Sequence, residues 1–305
     1  MLTLAQAASN YLNLDRVEST ISTYRSAVEP MVAAIGPSRD IHRIDLGDLL
    51  DYTASVRPGL KASSFKHYVT CIKIFFNWCV KMHYLEVSPA AGLVARLPDE
   101  PPRDRAIPPD VLEQMLVSSQ NDPHDYALLL FLADTGARRG GVASLTLDHL
   151  DLPNESALIR NKGGRFYTVY FSEITATALH AWIDVRPMVD HEFVWISRSK
   201  KNYGRAIRPE TISRMCRRRS RAVCGTPYGP HSIRHAVGHG LAHAGTEVTI
   251  TQRKLGHRSV RTTLEHYYPN TDKHVRDLSH AMPLPALRKP RNQAKIVYFP
   301  RARDL

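Results

Sequence analysis

The chain has 305 residues, 43% of them hydrophobic, with 41 Lys and Arg against 29 Asp and Glu, a formal charge of +12. That is enough chain for two ordinary domains with a sizeable core, and too apolar for a disordered polyelectrolyte. No apolar run approaches the ~18 residues of a membrane helix, and the opening MLTLAQAASNYLNLD has neither the basic lead nor the apolar stretch of a signal peptide.

The reading is therefore a cytoplasmic protein without membrane contact, whose surplus charge points to a polyanionic partner, most commonly nucleic acid. Cys71, Cys79, Cys216 and Cys224 show neither disulfide nor zinc spacing. They read as reduced thiols.

In chain order, STISTYRSAVEPMVAAIG reads as a helix that Pro30 kinks or splits. KASSFKHYVTCIKIFFNWCVKMHYL follows, with apolar Phe65, Tyr68, Val69, Ile72, Phe75, Phe76 and Val80 on one stripe of helical period, and Lys66, Lys73 and Lys81 off it. Residues 1–96 thus form an all-helical domain. The stretch 97–109, LPDEPPRDRAIPP, carries five prolines and marks a linker.

Beyond it lies an α+β domain, 110–285, with helices expected over 108–119 and 123–135. SALIR and RFYTVYF read as two strands joined by a hairpin at NKGG. A very basic helix follows over 209–223, then helices over 231–244, 247–255 and 259–267. Residues 286–305 form a basic tail. The expected fold class is mainly α with a small antiparallel sheet.

Cutting a phosphodiester without a metal needs an in-line nucleophile, cations on the non-bridging oxygens and an acid for the leaving oxygen. Arginine suits the cationic role because its planar fork grips two oxygens and stays charged. The chain presents such a kit in order. TGARRGG places Arg138 at a helix mouth, and NKGGR places Lys162 at a hairpin tip. GPHSIRH puts His231 and Arg234 three apart on one helix side. LGHRS places His257 after a glycine turn, and HYYP supplies Tyr267 and Tyr268. Each piece alone is common; the joint order is not.

TGARRGGVASLTLDHLDL, IRNKGGRFYTVYF, GPHSIRHAVGHGLAHAG and QRKLGHRSVRTTLEHYYP together resemble the catalytic domain of the tyrosine recombinases, the phage-integrase family. More softly, VESTISTYRSAVEPM and IKIFFNWCVKMHYLEVSPA are similar to that family's helical core-binding domain. The resemblance implies a site-specific recombinase that cleaves and rejoins double-stranded DNA through a 3′-phosphotyrosyl link, with no cofactor, metal or small-molecule substrate.

It implies that Arg138 and Arg234 bind the scissile phosphate and that Lys162 is the general acid. His231 would assist proton transfer, and His257 would hydrogen-bond a phosphate oxygen. Tyr267 is the implied nucleophile, because the tyrosine stands ten residues after the LGH histidine in the subset with a T-T pair before it. The commoner position, nine residues on, is here His266. Tyr268 is the alternative, and a local change in the helix would absorb the extra residue. The resemblance further implies a C-shaped clamp on DNA, with two protomers per crossover site, four in the synapse, and the segment after Tyr267 docked on a neighbour.

Two positions depart from the family pattern. Gly141 stands where an acidic residue usually follows the first arginine, so another group supports Arg138 or the site is looser. Arg139 replaces an apolar residue and is expected to face solvent or DNA. The basic segments RSKKNYGR (198–205) and RMCRRRSR (214–221) are assigned to DNA-backbone contacts. The rival readings are a zinc site on His231, His235, His239 and His243, a non-catalytic or decayed DNA-binding relative, and a type IB topoisomerase.

Overall fold

The structure is a computed structural model and describes residues 1–15, 18–95, 106–161 and 164–268. Its chain divides into two compact units, Met1–Arg103 and Asp104–Leu305. The prolines of the linker before Ala106, and the tail 286–305, lie outside the described residues.

The first unit is helical: α1 (Leu4–Leu12), α2 (Glu18–Ile35), α3 (Leu46–Val56) and α4 (Ala62–Lys81). Thr3 with Gln6 and Asp45 with Asp48 form capping boxes that satisfy the free N–H groups at the starts of α1 and α3. The stripe on α4 buries Phe65, Val69, Ile72, Phe75, Phe76 and Cys79. Tyr68 and Val80 sit at its margin. Lys73, off the stripe, donates to the Ala91 and Leu93 carbonyls, 3.2 and 2.9 Å away, and pins the loop after α4. Pro30 does not split its helix: α2 is continuous, and Ala27, Val28, Met31 and Val32 bury the turns on both sides of it.

The second unit is built on α6 (Pro123–Thr135), whose PHDYALLLFLADT is apolar on nearly all sides and is accordingly buried between neighbours. Around it lie α5 (Pro109–Val117), α8 (Glu173–Val185), α9 (Pro209–Cys224) and α10 (Pro230–His243). α11 (Val248–Leu255) and α12 (Val260–Tyr267) follow. α8 lies outside the elements expected from sequence, although Ser172 caps it and Pro187 follows it.

The sheet is antiparallel, in the order β1 (Leu150–Asp151), β2 (Ser156–Arg160), β3 (Phe166–Tyr170), with Ile159 opposite Tyr167. The fold is therefore mainly α with a small antiparallel sheet, as expected. β1, with two residues, and α7 (Arg139–Ala143), with five, are too short for any periodicity to announce them. Among the described residues no helix is long and apolar enough to cross a membrane.

Candidate active site

Two helix ends build the floor of the site. α6 stops at Gly136 and α11 at Gly256, each with φ +60, a left-handed turn that glycine adopts without a Cβ clash. Both glycines are also needed for space. A Cβ on Gly136 would lie 2.8 Å from Leu255, and one on Gly256 2.6 Å from the Tyr167 ring.

The last carbonyls of a helix lack intrahelical partners and carry partial negative charge. Here they hold the two arginines. Arg234, 4% exposed, donates to the carbonyls of Gly136 at 2.6 Å and Leu255 at 2.7 Å. Arg138 donates to the Gly256 carbonyl at 2.9 Å and to Asn161 Oδ1 at 3.3 Å. Asn161 Nδ2 in turn donates to the Gly256 carbonyl at 3.3 Å.

Among the described residues no carboxylate pairs with either arginine. Dipoles orient these cations but leave their charge in place for an incoming anion. Burial, and then the neighbouring Arg138, lower Arg234 to about 10, which still leaves it charged at neutral pH.

The structure explains the missing acid. A Cβ at Gly141 would lie 2.5 Å from Ile159 and 2.9 Å from the Arg160 carbonyl, because α7 packs directly on β2. No side chain fits there, and Asn161 supports Arg138 instead. Asn161 was missed from sequence; its place beside Lys162 at the hairpin was the available signal. Arg139 does not simply face solvent. It donates to Ser213 at 2.6 Å and lies 3.9 Å from Glu210, tying α7 to α9.

His257 follows Gly256 and is 9% exposed. Its Nδ1 bonds Thr263 Oγ1 at 2.8 Å. Burial, then Arg234 and Arg138, push its pKa down to about 3, so the ring is a neutral imidazole. His231 lies in the first turn of α10, exposed, and is lowered by partial desolvation and by Arg234, Arg139 and Arg138. Lys162 lies outside the described residues. Its neighbours form the expected hairpin turn, with Asn161 N donating to the Arg165 carbonyl and Gly164 N to that of Asn161. Arg138, Asn161, Tyr167, Gln252 and His257 line an open cleft of about 740 Å³.

The two tyrosines have different surroundings. Tyr267 is 4% exposed. Its ring meets His239 edge-on at 5.3 Å, lies 5.8 Å from His235, and runs parallel to His257 at 6.0 Å. Burial raises its phenol pKa; the charges of Arg234 and Arg138 pull the other way. Tyr268 points elsewhere: its hydroxyl donates to the Thr246 carbonyl and bonds Thr251 Oγ1 at 2.7 Å. It tethers the end of α12 to α11 and the turn before it.

α12 is α-helical throughout and absorbs no extra residue. The room is made across from it, where a Cβ on Gly238 of α10 would lie 2.4 Å from the Tyr267 ring. His235 and His239 pack around that ring, with His266 stacked 6.1 Å from His235. The α10 histidines do not converge their nitrogens as a ligand set.

Three arginines of the basic segments also have partners within the fold. Arg198 binds Asp122 at 2.7 Å and Asp125 at 2.8 Å, Arg219 binds both at 2.8 Å, and Arg218 binds Asp125 at 3.1 Å. Asp125 is 1% exposed, so these arginines serve a buried carboxylate and lock α9 and the 198 loop to α6. Arg214, Arg217, Arg218 and Arg221 of the helix remain exposed.

Burial alone would raise Asp125, but hydrogen bonds from His124 and Arg219 and the charge of Arg198 hold it well below the carboxylate range. A folded-state pKa below the unfolded one gives stability that is full above the unfolded value and is lost as pH falls through the acid range. Asp125→Asn is expected to cost about 3–5 kcal/mol, the scale of breaking one side of a buried ion pair. Urea denaturation at pH 7 would show it, and the difference from wild type should shrink below about pH 4.

A buried and a half-buried arginine without counterions among the described residues, a neutral imidazole and a phenol close by suit a phosphate ester and a tyrosine nucleophile. Residues 105–274 match the model of the phage integrase family, and the chain belongs to that family, the tyrosine recombinases. It is 26% identical to tyrosine recombinase XerC of Corynebacterium glutamicum over 266 residues, 83% of this chain and 82% of the relative.

Among solved structures, the fold is similar to that of the Tn1549 transposon integrase in complex with circular intermediate DNA. The TM-score is 0.73 and the identity 19%, covering 92% of this chain and 99% of the integrase chain. It is also similar to a lambda integrase dimer bound to a COC′ core site, with a TM-score of 0.66 and 15% identity, over 85% and 96% of the two chains.

Proposed function

We propose that the protein is a site-specific DNA recombinase that cleaves and rejoins duplex DNA by transesterification at Tyr267. The phenol oxygen of Tyr267 attacks the scissile phosphorus, the bond to the 5′ oxygen breaks, and a 3′-phosphotyrosyl ester forms. Arg138 and Arg234 take the charge that grows on the non-bridging oxygens, and His257 donates or accepts a hydrogen bond at the same phosphate.

His231, exposed in the first turn of α10, assists removal of the phenol proton. Lys162 gives a proton to the departing 5′ oxygen. A 5′ hydroxyl from another strand then reverses the step. One ester replaces another, so neither ATP nor a metal ion enters the balance.

The observation that carries this reading is the buried Tyr267 ring, parallel to His257 at 6.0 Å and acted on by the charges of Arg234 and Arg138, while the Tyr268 hydroxyl is committed to Thr246 and Thr251. The exposed Arg214, Arg217 and Arg221 supply backbone affinity. The helical unit ending near residue 96 serves as a second DNA-binding domain. The protein works as a dimer on each site and a tetramer in the synapse, as the DNA-bound lambda integrase dimer suggests, and it acts in the cytoplasm.

The test is a nicked suicide duplex taken from DNA flanking the gene, incubated in EDTA. A denaturation-resistant protein–DNA adduct at the 3′ end of the cleaved strand is expected. Tight binding without an adduct, across an arrayed library of sites, would leave only a DNA-binding relative.

A further inference from the structure

Arg138 owes its place to a short and weak helix. It is the residue just before α7, and its carbonyl accepts the first bond of that helix, from Val142 N at 3.1 Å. A helix of five residues does not hold itself together, and two of these five, Gly140 and Gly141, are poor helix formers. α7 therefore stands where packing puts it. On one side Gly141 lies against Ile159 and the Arg160 carbonyl of β2. On the other, Arg139 reaches across to α9, where its guanidinium donates to Ser213 Oγ at 2.6 Å and lies 3.9 Å from Glu210.

The acceptor is prepared for this bond. Ser213 is 3% exposed, and its hydroxyl donates to the Pro209 carbonyl at 3.3 Å, which leaves an oxygen lone pair for the arginine. A hydrogen bond from an ionised donor is the strong kind. The helix that receives it is itself well anchored. Arg218 and Arg219 of α9 bind the buried Asp125 of α6. The same helix exposes Arg214, Arg217 and Arg221. Arg139 thus joins the segment that carries a site arginine to the most basic helix of the chain.

We infer that Arg139 is a positioning residue for strand cleavage: through Ser213 it fixes the start of α7, and with it Arg138, to the helix that grips the DNA backbone. This role rests on the recombinase reading. Arg139 is committed to α9, and it acts on the reaction through Arg138. The register between the phosphates that α9 holds and the phosphate that Arg138 must reach is then set inside the protein, by a bond between two helices. Without that bond the glycines leave α7 free to shift, and a displacement of about 1 Å at a reacting centre can cost about 10²-fold in rate.

The test compares Ser213→Ala, Arg139→Met and the double variant in the full chain. Adduct formation on the suicide duplex is timed at saturating protein, well below the melting temperature, and DNA affinity is measured alongside. Ser213→Ala keeps every charge, so its affinity should equal that of wild type. Its adduct rate should nevertheless fall about tenfold, a part of what a misplaced group can cost. The double variant should react no more slowly than Arg139→Met alone, because both changes break the same bond. Arg139→Lys keeps a charged donor and should stay within about threefold of wild type.

A Ser213→Ala protein that cleaves at the wild-type rate would overturn the role. So would losses in the two single variants that multiply in the double one, since the residues would then act apart. Weaker binding by Arg139→Met, with Ser213→Ala unchanged in both rate and affinity, would make Arg139 a phosphate contact instead. A wild-type protein that forms no adduct on any site overturns the recombinase reading, and this role falls with it. An adduct from wild type with unaffected variants removes the role of Arg139 alone.

Discussion

Tyr267→Phe should abolish the covalent adduct with DNA, and Tyr268→Phe should keep it. The two residues are neighbours in the chain, but only one phenol is near the arginines. Removing the Tyr267 oxygen removes the attacking atom of the proposed reaction. Loss of a nucleophile of this kind lowers a rate by about 10³-fold or more. The ring would still pack against Gly238, His239 and His257, so the variant should fold and bind DNA normally.

Tyr268→Phe removes hydrogen bonds to the Thr246 carbonyl and Thr251. Its expected cost is about 0.5–1.5 kcal/mol of stability and little chemistry. The pair of variants therefore separates a nucleophile from a tether with two readouts, adduct yield and denaturation midpoint. An adduct that survives in Tyr267→Phe and vanishes in Tyr268→Phe would keep the family and reverse the assignment.

Arg234→Lys should retain bulk DNA binding and lose cleavage by about 10²–10³-fold. The substitution keeps the charge, so the affinity supplied by phosphate neutralisation should change little. It removes the fork. One guanidinium spans the carbonyls of Gly136 and Leu255 and has further N–H groups to present to a phosphate. A lysine ammonium is a single point on a flexible stem and cannot hold both carbonyls and the phosphate at once. One of the two helix-end carbonyls would be left buried without a donor, which adds about 1–3 kcal/mol of destabilisation. Single-turnover adduct rates compared at saturating protein would separate this loss from binding. A Lys variant that cleaves at the wild-type rate would show that charge alone, and not the geometry of the fork, is what the site needs.

Much of this protein is legible in one dimension. Apart from α7 and α8, the helices of the second unit announce themselves by their apolar content and by their ends. Proline stands in the first turn of α5, α6, α9 and α10, and a left-handed glycine follows α6, α9 and α11. These are local effects of φ restriction and missing N–H or Cβ groups, complete within four or five residues. The order of TGARR, NKGGR, HSIRH, LGH and HYY is likewise written in the chain, and it pointed to a family whose model the chain matches.

The tertiary structure decided what depends on contacts between distant positions. Arg138 rests on a carbonyl 118 residues away and Arg234 on one 98 residues away. The support for Arg138 is Asn161 because Gly141 has no room for a side chain against β2. Arg198, Arg218 and Arg219 read only as basic letters in the sequence, and packing gives them the buried Asp125 as a shared partner. The two tyrosines are equivalent as letters. They differ because α12 presents one ring to Gly238 and the arginine pair and turns the next toward Thr246 and Thr251. Secondary structure follows from near neighbours along the chain, whereas the charge balance and hydrogen bonding of a site follow from whichever segments packing brings together.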